Sequence, residues 1–557
     1  MEKWKAEFLC FVKNKYYVAA LVLTAVFSYG FLITHQTVGI DDTPSVYYFE
    51  EGLATIVGRW VLFLFNKIFH MAEFAPFVTD LAGVMILMLG VTIWCVLLRR
   101  ILRDRVPMYG YILFSCLFLS NPLISEVYTY YLHNGVSMGY LFCGISLCFL
   151  WEGLEDGIGT RKNANRKKQM LLWLGSAVGL LIAIGCYESF MVVYLVGVCA
   201  MLCMARLTED TKVAVIRSVV IAGMIALVAL IFRSVVVSGL TILFDLEYLK
   251  EEAARRSISE MLSWVLQPGA FSDFAMMVKR ILVMYGIFAY AYYPIWVYVI
   301  AVVLAVVAGI IWSIRKKDLW IVLLVFAGIA ASYLLVVVEG EATYYRSAQF
   351  LPMFCAWGLF MAVYTIHQLS NKRTAVQKWG NRILCAALCV ILWNQCTDMN
   401  QWFYVDWMKY EDARNTIDKI AYELEKDFDT SKPVVFAGVH MVPEGIVDAA
   451  FVDYGSETYY KMQKIAALFD QHILEKFYRE YGIWVAQTPA LSVIDWSRRA
   501  FDNNLELIRF FSMHGYELQP YLNEAMYDTI EEEAGSMPHF PKAGSIVDKG
   551  EYIVVHF

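Results

Sequence analysis

The sequence predicts an α-helical polytopic membrane protein of about eleven transmembrane helices, with outer juxtamembrane helices and a small C-terminal α/β domain outside the membrane. Three observations carry that prediction. Hydrophobic residues make up 59% of the 557 residues, charged residues only 18%, and mean hydropathy is +0.52. Soluble domains carry about 25% charged and about 45–50% apolar residues. The apolar residues gather in runs approaching the ~20 that a bilayer core requires. Charge is also unevenly divided: residues 400–557 hold 26 Asp+Glu against 14 Lys+Arg, whereas residues 1–399 hold 26 against 32. A basic membrane part (1–399) and an acidic extracytoplasmic part (400–557) are therefore expected as separate domains. Neither has the basic stripe that nucleic acid needs, so no nucleic-acid partner is expected.

The spans are expected at 16–33, 79–98, 108–119, 135–151, 170–186, 190–205, 213–232, 295–314, 319–338, 347–367 and 383–396. No small-residue cleavage site follows the first apolar run, so the N-terminal segment is expected to stay as a span rather than a cleaved signal. The twelve cysteines lie almost wholly inside these runs and none lies beyond Cys396. They read as buried small hydrophobes rather than disulfides or metal ligands.

Lys and Arg clusters set the orientation. Lys3/Lys5/Lys13/Lys15, Arg99/Arg100/Arg103/Arg105, Arg161/Lys162/Arg166/Lys167/Lys168, Arg315/Lys316/Lys317 and Lys372/Arg373/Lys378/Arg382 fall on alternate loops of eleven spans. That pattern places the N-terminus in the cytoplasm and the acidic tail outside. Residues 53–70 and 271–290 mix charges with aromatics and are expected to rest as helices in the outer interface. In the tail, 406–428 reads as a charged helix, 433–438 as a buried strand, 462–481 as a helix and 551–557 as a closing strand.

Candidate chemistry gathers on the outer side. The first outer loop carries Asp41 and Asp42, adjacent carboxylates that can take a proton from a sugar hydroxyl. The competing role is a helix cap, with Asp42 or Thr43 capping and Pro44 in the first turn. The second outer loop holds Glu126 and His133 among tyrosines, and the third is only Tyr187-Glu188-Ser189. An ionisable group held between spans is expensive to keep, which favours a paired or functional role. Outer cations are Arg59, Arg233, Lys279, Arg280 and Arg346. Lys279 and Arg280 also suit headgroup snorkelling. Arg346 follows Tyr344 and Tyr345 at the head of an apolar helix, where a guanidinium can hold a phosphate through two hydrogen bonds. Outward-facing carboxylates and cations on membrane helices suit a lipid-linked phosphate substrate, with one general base and cations for the departing phosphate. No Walker loop, GxGxxG site or HExxH motif sits in a supporting context. No metal site is assigned from the sequence and no cofactor is identified; a divalent cation (Mg2+ or Mn2+) is compatible with the chemistry.

The order of these features resembles the Gtr type II glucosyltransferases that modify O-antigen and related bacterial surface polysaccharides. The shared features run from the short basic N-terminus through Gly39-Ile-Asp41-Asp42-Thr43, Gly58-Arg59-Trp60, Asn121-Pro122 and Tyr187-Glu188-Ser189-Phe190. They continue through Tyr345-Arg346 to Leu351-Pro352, with a further similar stretch from Asn394 to Ile420. The resemblance covers roughly the first 425 residues. It implies a GT-C glycosyltransferase fold in the bacterial inner membrane, a polyprenyl-phosphate-linked sugar donor and a surface-polysaccharide acceptor. It also implies a separate donor synthase and flippase as partners, beside the membrane lipid itself. It points to Asp41 and Asp42 as catalytic and to Arg346 as a phosphate ligand; glucose is the donor sugar that the family name implies. Two other classes compete. A glycolipid transporter or flippase would place charges at the bilayer midplane and show weak repeats, whereas here charges gather at the outer interface. A polysaccharide polymerase would use outer-loop arginines but need no acid pair in the first loop.

Overall fold

In the computed structural model, the described residues are 2–37, 52–69, 75–128, 134–158, 166–208, 214–250, 268–272, 275, 295–339, 347–370, 374–438, 440 and 505–557. Eighteen α-helices and four strands are used below: α1 Glu2–Val12, α2 Lys15–Thr34, α3 Gly52–Ile56, α4 Trp60–Phe69, α5 Pro76–Leu102, α6 Met108–Leu119, α7 Leu123–Tyr128, α8 Asn134–Ile158 and α9 Arg166–Cys186. They continue with α10 Phe190–Leu207, α11 Val215–Leu243, α12 Ile295–Lys316, α13 Trp320–Ser332, α14 Leu334–Glu339, α15 Phe350–Ser370 and α16 Thr374–Asp427. The C-terminal part adds β1 Pro433–Ala437, α17 Leu505–Met513, β2 Gln519–Pro520, α18 Tyr527–Ala534, β3 Ile546–Asp548 and β4 Ile553–His556.

Among the described residues, nine helices are long and apolar enough to cross a membrane. Ten expected spans each fall on one helix and 319–338 falls on two, α13 and α14; α6 and α13 are short. α6 has 12 residues and α13 has 13, which at ~1.5 Å per residue is about 18–20 Å against a ~30 Å core. The causes are local. Asn121 accepts from the Leu123 N–H at 3.1 Å, so the side chain caps a new helix, and Pro122 cannot continue the old one. Ser120–Pro122 therefore separates α6 from α7. Tyr333 likewise separates α13 from α14.

The uncovered faces are apolar. α11 exposes Ile216, Val220, Met224, Leu227, Ile231 and Val235, each more than half accessible. A helix with such a face requires a nonaqueous neighbour, and the protein is accordingly a membrane protein. Inside the bundle, buried aromatic groups find partners for their polar ends. Tyr29 Oη donates to Leu119 O at 2.7 Å, Trp94 Nε1 to Tyr140 O at 3.1 Å, and Tyr140 Oη to Gln349 O at 2.8 Å. Without water these bonds have no substitute, so they fix helix register. One end of the bundle is laced by ion pairs, two of them from the Arg99/Arg100 cluster: Arg99–Glu7 at 2.7 Å, Arg100–Glu155 at 2.5 Å and Arg206–Asp318 at 2.5 Å.

Two expectations change. Residues 53–70 are not one helix but α3 and α4, separated at Val57–Arg59. The expected span 383–396 and the expected charged helix 406–428 are one helix, α16, of 54 residues. No Gly or Pro interrupts residues 381–427, so nothing in the chain breaks the i→i−4 ladder. The expected 462–481 helix lies outside the described residues, as does most of 271–290.

At the C-terminal end a four-stranded sheet has the order β2-β1-β4-β3, parallel except for β3 against β4. Alternation along the strands sends side chains to two faces. Val434, Phe436, Ile553, Val555 and Phe557 pack with Ala413, Ile417 and Leu424 of α16 and with Phe510 and Phe511 of α17. Val435, Ala437 and Val554 pack with Ile530 and Ala534 of α18. The expected strands at 433–438 and 551–557 are β1 and β4.

Candidate functional site

The opposite end of the bundle from the Arg99, Arg100 and Arg206 ion pairs brings four candidate residues together. α9 ends at Cys186 and α10 begins at Phe190, so Tyr187-Glu188-Ser189 is a tight turn. It is closed by Phe190 N–H to Tyr187 O at 3.1 Å and Met191 N–H to Glu188 O at 3.1 Å. The turn holds Glu188 at the start of α10, where the helix dipole favours a negative charge.

Arg59 reaches this turn from 129 positions earlier. Its Nη2 lies 3.4 Å from Glu188 Oε1, and its guanidinium sits 4.3 Å from the centre of the Tyr187 ring. A carboxylate on one side and a π face on the other orient the guanidinium plane.

The loop that delivers Arg59 is built by a glycine. Gly58 N–H donates to Thr55 O at 2.9 Å and Arg59 N–H to Ala54 O at 2.7 Å. These are the two bonds of a Schellman motif, which requires a left-handed residue between them. Gly58 supplies it with φ +93°. A Cβ there would also stand 1.9 Å from Arg233 Nη2. Arg233, on α11, donates to Val57 O at 3.3 Å, taking up a carbonyl at the end of α3.

Desolvation pushes the Glu188 carboxyl up, but the charges of Arg59 and Arg233 and a backbone hydrogen bond outweigh it. The net shift is downward from its ordinary 4.5. Glu188 is thus held ionised beside Arg59, placed to orient the guanidinium. Among the described residues Glu188 Oε2 has neither solvent access nor a hydrogen-bond partner.

Tyr187 extends the cluster: its hydroxyl lies 3.3 Å from Ser347 Oγ. Ser347 follows Arg346 in the chain and gave no sequence signal. The residues that follow α2 are held by α16. Thr37 donates to Asp406 Oδ2 of α16 at 2.7 Å, and the His35 ring stacks on Phe31 at 3.9 Å beside Trp407 at 5.1 Å. Sequence reasoning assigned no role to Asp406, nor to the buried Asp398, whose two carboxylate oxygens find no partner among the described residues. In both cases the available signal was an acid just past a span. Glu126 lies on α7, with its side chain outside the described set. Asp41, Asp42, His133, Lys279, Arg280, Tyr344, Tyr345 and Arg346 lie outside the described residues.

Two oriented guanidinium groups, an ionised carboxylate and a tyrosine at one bundle end can bind and orient an oxyanion near the membrane surface. A family model described as Glucosyl transferase GtrII matches residues 30–365, a stretch that contains Arg59, Tyr187, Glu188, Arg233 and Ser347. No curated protein and no solved structure matches the chain.

Proposed function

The chain belongs to the glucosyl transferase GtrII family, and on that footing we propose that it transfers a sugar, glucose by the family's name, from a polyprenyl-phosphate donor to a cell-surface glycan. The transfer is placed on the extracytoplasmic face of the bacterial inner membrane, in a GT-C fold of eleven spans. The N-terminus is cytoplasmic and residues 400–557 form an outer domain. The observation that carries this reading is the convergence of Arg59, Tyr187, Glu188 and Arg233 at the bundle end opposite the Arg99, Arg100 and Arg206 ion pairs. The positive-inside rule, read on the basic clusters, supports a cytoplasmic position for that end and an outer one for the converged group.

The chemistry follows from the residues. An aspartate of the first loop, Asp41 or Asp42, takes the proton of the acceptor hydroxyl as the bond to the sugar's anomeric carbon forms. The bond from that carbon to the phosphate oxygen breaks, and the polyprenyl phosphate leaves as an anion that needs no protonation. Arg346, Arg59 and Arg233 stabilise the charge that develops on it. Glu188 orients Arg59, Tyr187 supplies the face on which it rests, and Glu126, His133, Tyr344 and Tyr345 complete the substrate wall. Lys279 and Arg280 hold the lipid interface. A donor synthase and a flippase supply the outer-leaflet donor.

Mass analysis of polyprenyl-linked sugars and surface glycan, in cells with and without the protein, tests the reading. The expected result is loss of a hexose from the glycan with accumulation of the donor outside. A change in glycan chain length with unchanged decoration would instead indicate a polymerase. Accumulation of the donor on the inner face would indicate a flippase.

A further inference from the structure

Around Asp398 the polar side chains of α16 are settled within the bundle. Gln395 Oε1 accepts from Ser120 Oγ at 2.9 Å, Cys396 Sγ lies 3.3 Å from Ser28 Oγ, and Thr397 Oγ1 donates to Trp393 O at 3.0 Å. Asn400 Nδ2 donates to Cys396 O at 2.9 Å and to Phe27 O. Asp398 is the exception. It is 7% exposed, and neither carboxylate oxygen has solvent access or a hydrogen-bond partner among the described residues. Two unpaired acceptors in such a place cost stability, and an ionisable group at the edge of a span marks a functional position.

A line of contacts joins this part of α16 to the bundle end that holds Arg59. The Phe403 ring lies 6.2 Å from Tyr29, and Tyr29 lies 5.1 Å from Tyr128. Tyr128 Oη is hydrogen-bonded to Ser137 of α8. At the start of that helix a Cβ on Gly135 would stand 2.7 Å from Leu62 Cδ2 of α4, the helix that Arg59 precedes. Trp402 follows Asp398 by four residues, so ring and carboxyl share a face of α16, and the ring is half-buried. The oxygens of Asp398 only accept, so a ligand must donate. A cation would need several more oxygen ligands, and Gln395 Oε1 and Thr397 Oγ1, the nearest side-chain oxygens in sequence, are already engaged. A sugar supplies two donors from adjacent hydroxyls, and its apolar ring face suits an indole.

We propose that Asp398 binds a pyranose of the transfer reaction, its two oxygens accepting from adjacent hydroxyls while Trp402 meets the ring face. The ligand class rests on the transfer reading, in which donor and acceptor sugars share this chemistry. An analogue without the hydroxyls leaves both oxygens unpaired again, so such a site discriminates strongly.

The test uses the purified full chain in a detergent without sugar groups, titrated calorimetrically with farnesyl phosphoglucose, farnesyl phosphate and methyl glucoside. Wild type should bind the phosphoglucose more tightly than the bare phosphate. Asp398→Ala removes both acceptors and should weaken the phosphoglucose by roughly tenfold or more. Asp398→Asn keeps one acceptor and should weaken it less, and neither variant should alter farnesyl phosphate binding. Asp398→Ala should also melt no lower than wild type, because it relieves an unpaired carboxyl. A loss confined to methyl glucoside would place the hydroxyls on the acceptor sugar. A melting temperature several degrees lower in both variants, or no binding of either sugar probe by wild type, would overturn the site. Sugar binding that Asp398→Ala abolishes, in a chain that adds no hexose to the surface glycan, would refute the transfer reading and leave this site standing. Wild-type binding and transfer by Asp398→Ala would refute the site alone.

Discussion

Thr37 and Asp406 are joined by a 2.7 Å hydrogen bond between residues 369 positions apart. Thr37 ends the described run after α2, four residues before Asp41, and Asp406 lies on α16 beyond the apolar stretch. With Trp407 against His35, the end of α2 that leads to Asp41 rests on the helix that packs against the C-terminal sheet.

Thr37→Val keeps the shape of the side chain and removes the donor. The net cost of one such bond is about 1 kcal/mol, so the melting temperature should change little. If the bond sets the position of the first loop, transfer should fall several-fold with a raised KM. Asp406→Asn still accepts through its amide oxygen and should stay near wild type. A loss in Asp406→Asn with none in Thr37→Val would assign the effect to charge instead.

Gly58→Ala meets two obstacles at once, the left-handed φ and the Arg233 guanidinium. A non-glycine residue held in a disfavoured region costs ~1–3 kcal/mol, and the clash adds to it. Thermal melting should show the loss. Adding Arg233→Ala removes the clash but not the backbone penalty, so the double variant should be less destabilised than the sum of the two singles. Strict additivity would place Arg233 away from Gly58.

The pH dependence of the Arg59–Glu188 pair has a definite sign. The Glu188 carboxyl is lowered in the folded protein from 4.5, so the folded state favours its ionised form. That contribution is fully present above about pH 4.5 and is lost as pH falls through the folded value. Comparing wild type with Glu188→Gln by thermal melting should show a constant difference from pH 8 to 5 that shrinks below 4.5. Because the side chain is 41% exposed, the difference should be small, within the ~0–1 kcal/mol of a solvated pair. A difference that vanishes near pH 7 would contradict the assigned charge state.

For the first loop, Asp41→Asn and Asp42→Asn should differ. General base catalysis is worth ~10²–10⁴ in rate, so one variant should lose nearly all transfer while still binding donor. The other should be mild, since Asn caps a helix about as well as Asp. Near-normal transfer by both variants would move the search for the base to Glu126.

Orientation is checked by single cysteines in a background lacking the native twelve. An impermeant thiol reagent applied to intact cells should label Gly455→Cys and spare Asn163→Cys. The reverse pattern would invert the proposed topology.

Elements set by local rules were legible in the chain. Val434 to Ala437 alternate between two covering layers, so β1 and β4 could be placed from their apolar runs. The break at Gly58 was missed although its glycine is the usual helix-ending signal, because the apolar pattern runs on through Trp60 to Phe69. The long helix was read as two because hydropathy falls after Cys396, whereas the backbone ladder is indifferent to that change. Glu188 was suspected from the cost of charge between spans, Tyr187 as its neighbour in the same loop, and Arg59 and Arg233 as outer-side cations. Their meeting was not legible, because 129 residues separate Arg59 from Glu188 and tertiary packing alone joins them. Ser347 left no trace, since a lone hydroxyl beside an apolar helix has no distinctive pattern.

The unbroken α16 has a mechanical consequence. At ~1.5 Å per residue its 54 residues form a shaft about 80 Å long, with no hinge residue between 381 and 427. A twist or tilt applied to Ala413, Ile417 and Leu424 through the sheet is therefore carried rigidly to Asp406, and from Asp406 to Thr37. Load on the C-terminal sheet would be felt four residues from Asp41, so whatever grips that sheet acts as a lever on the first loop.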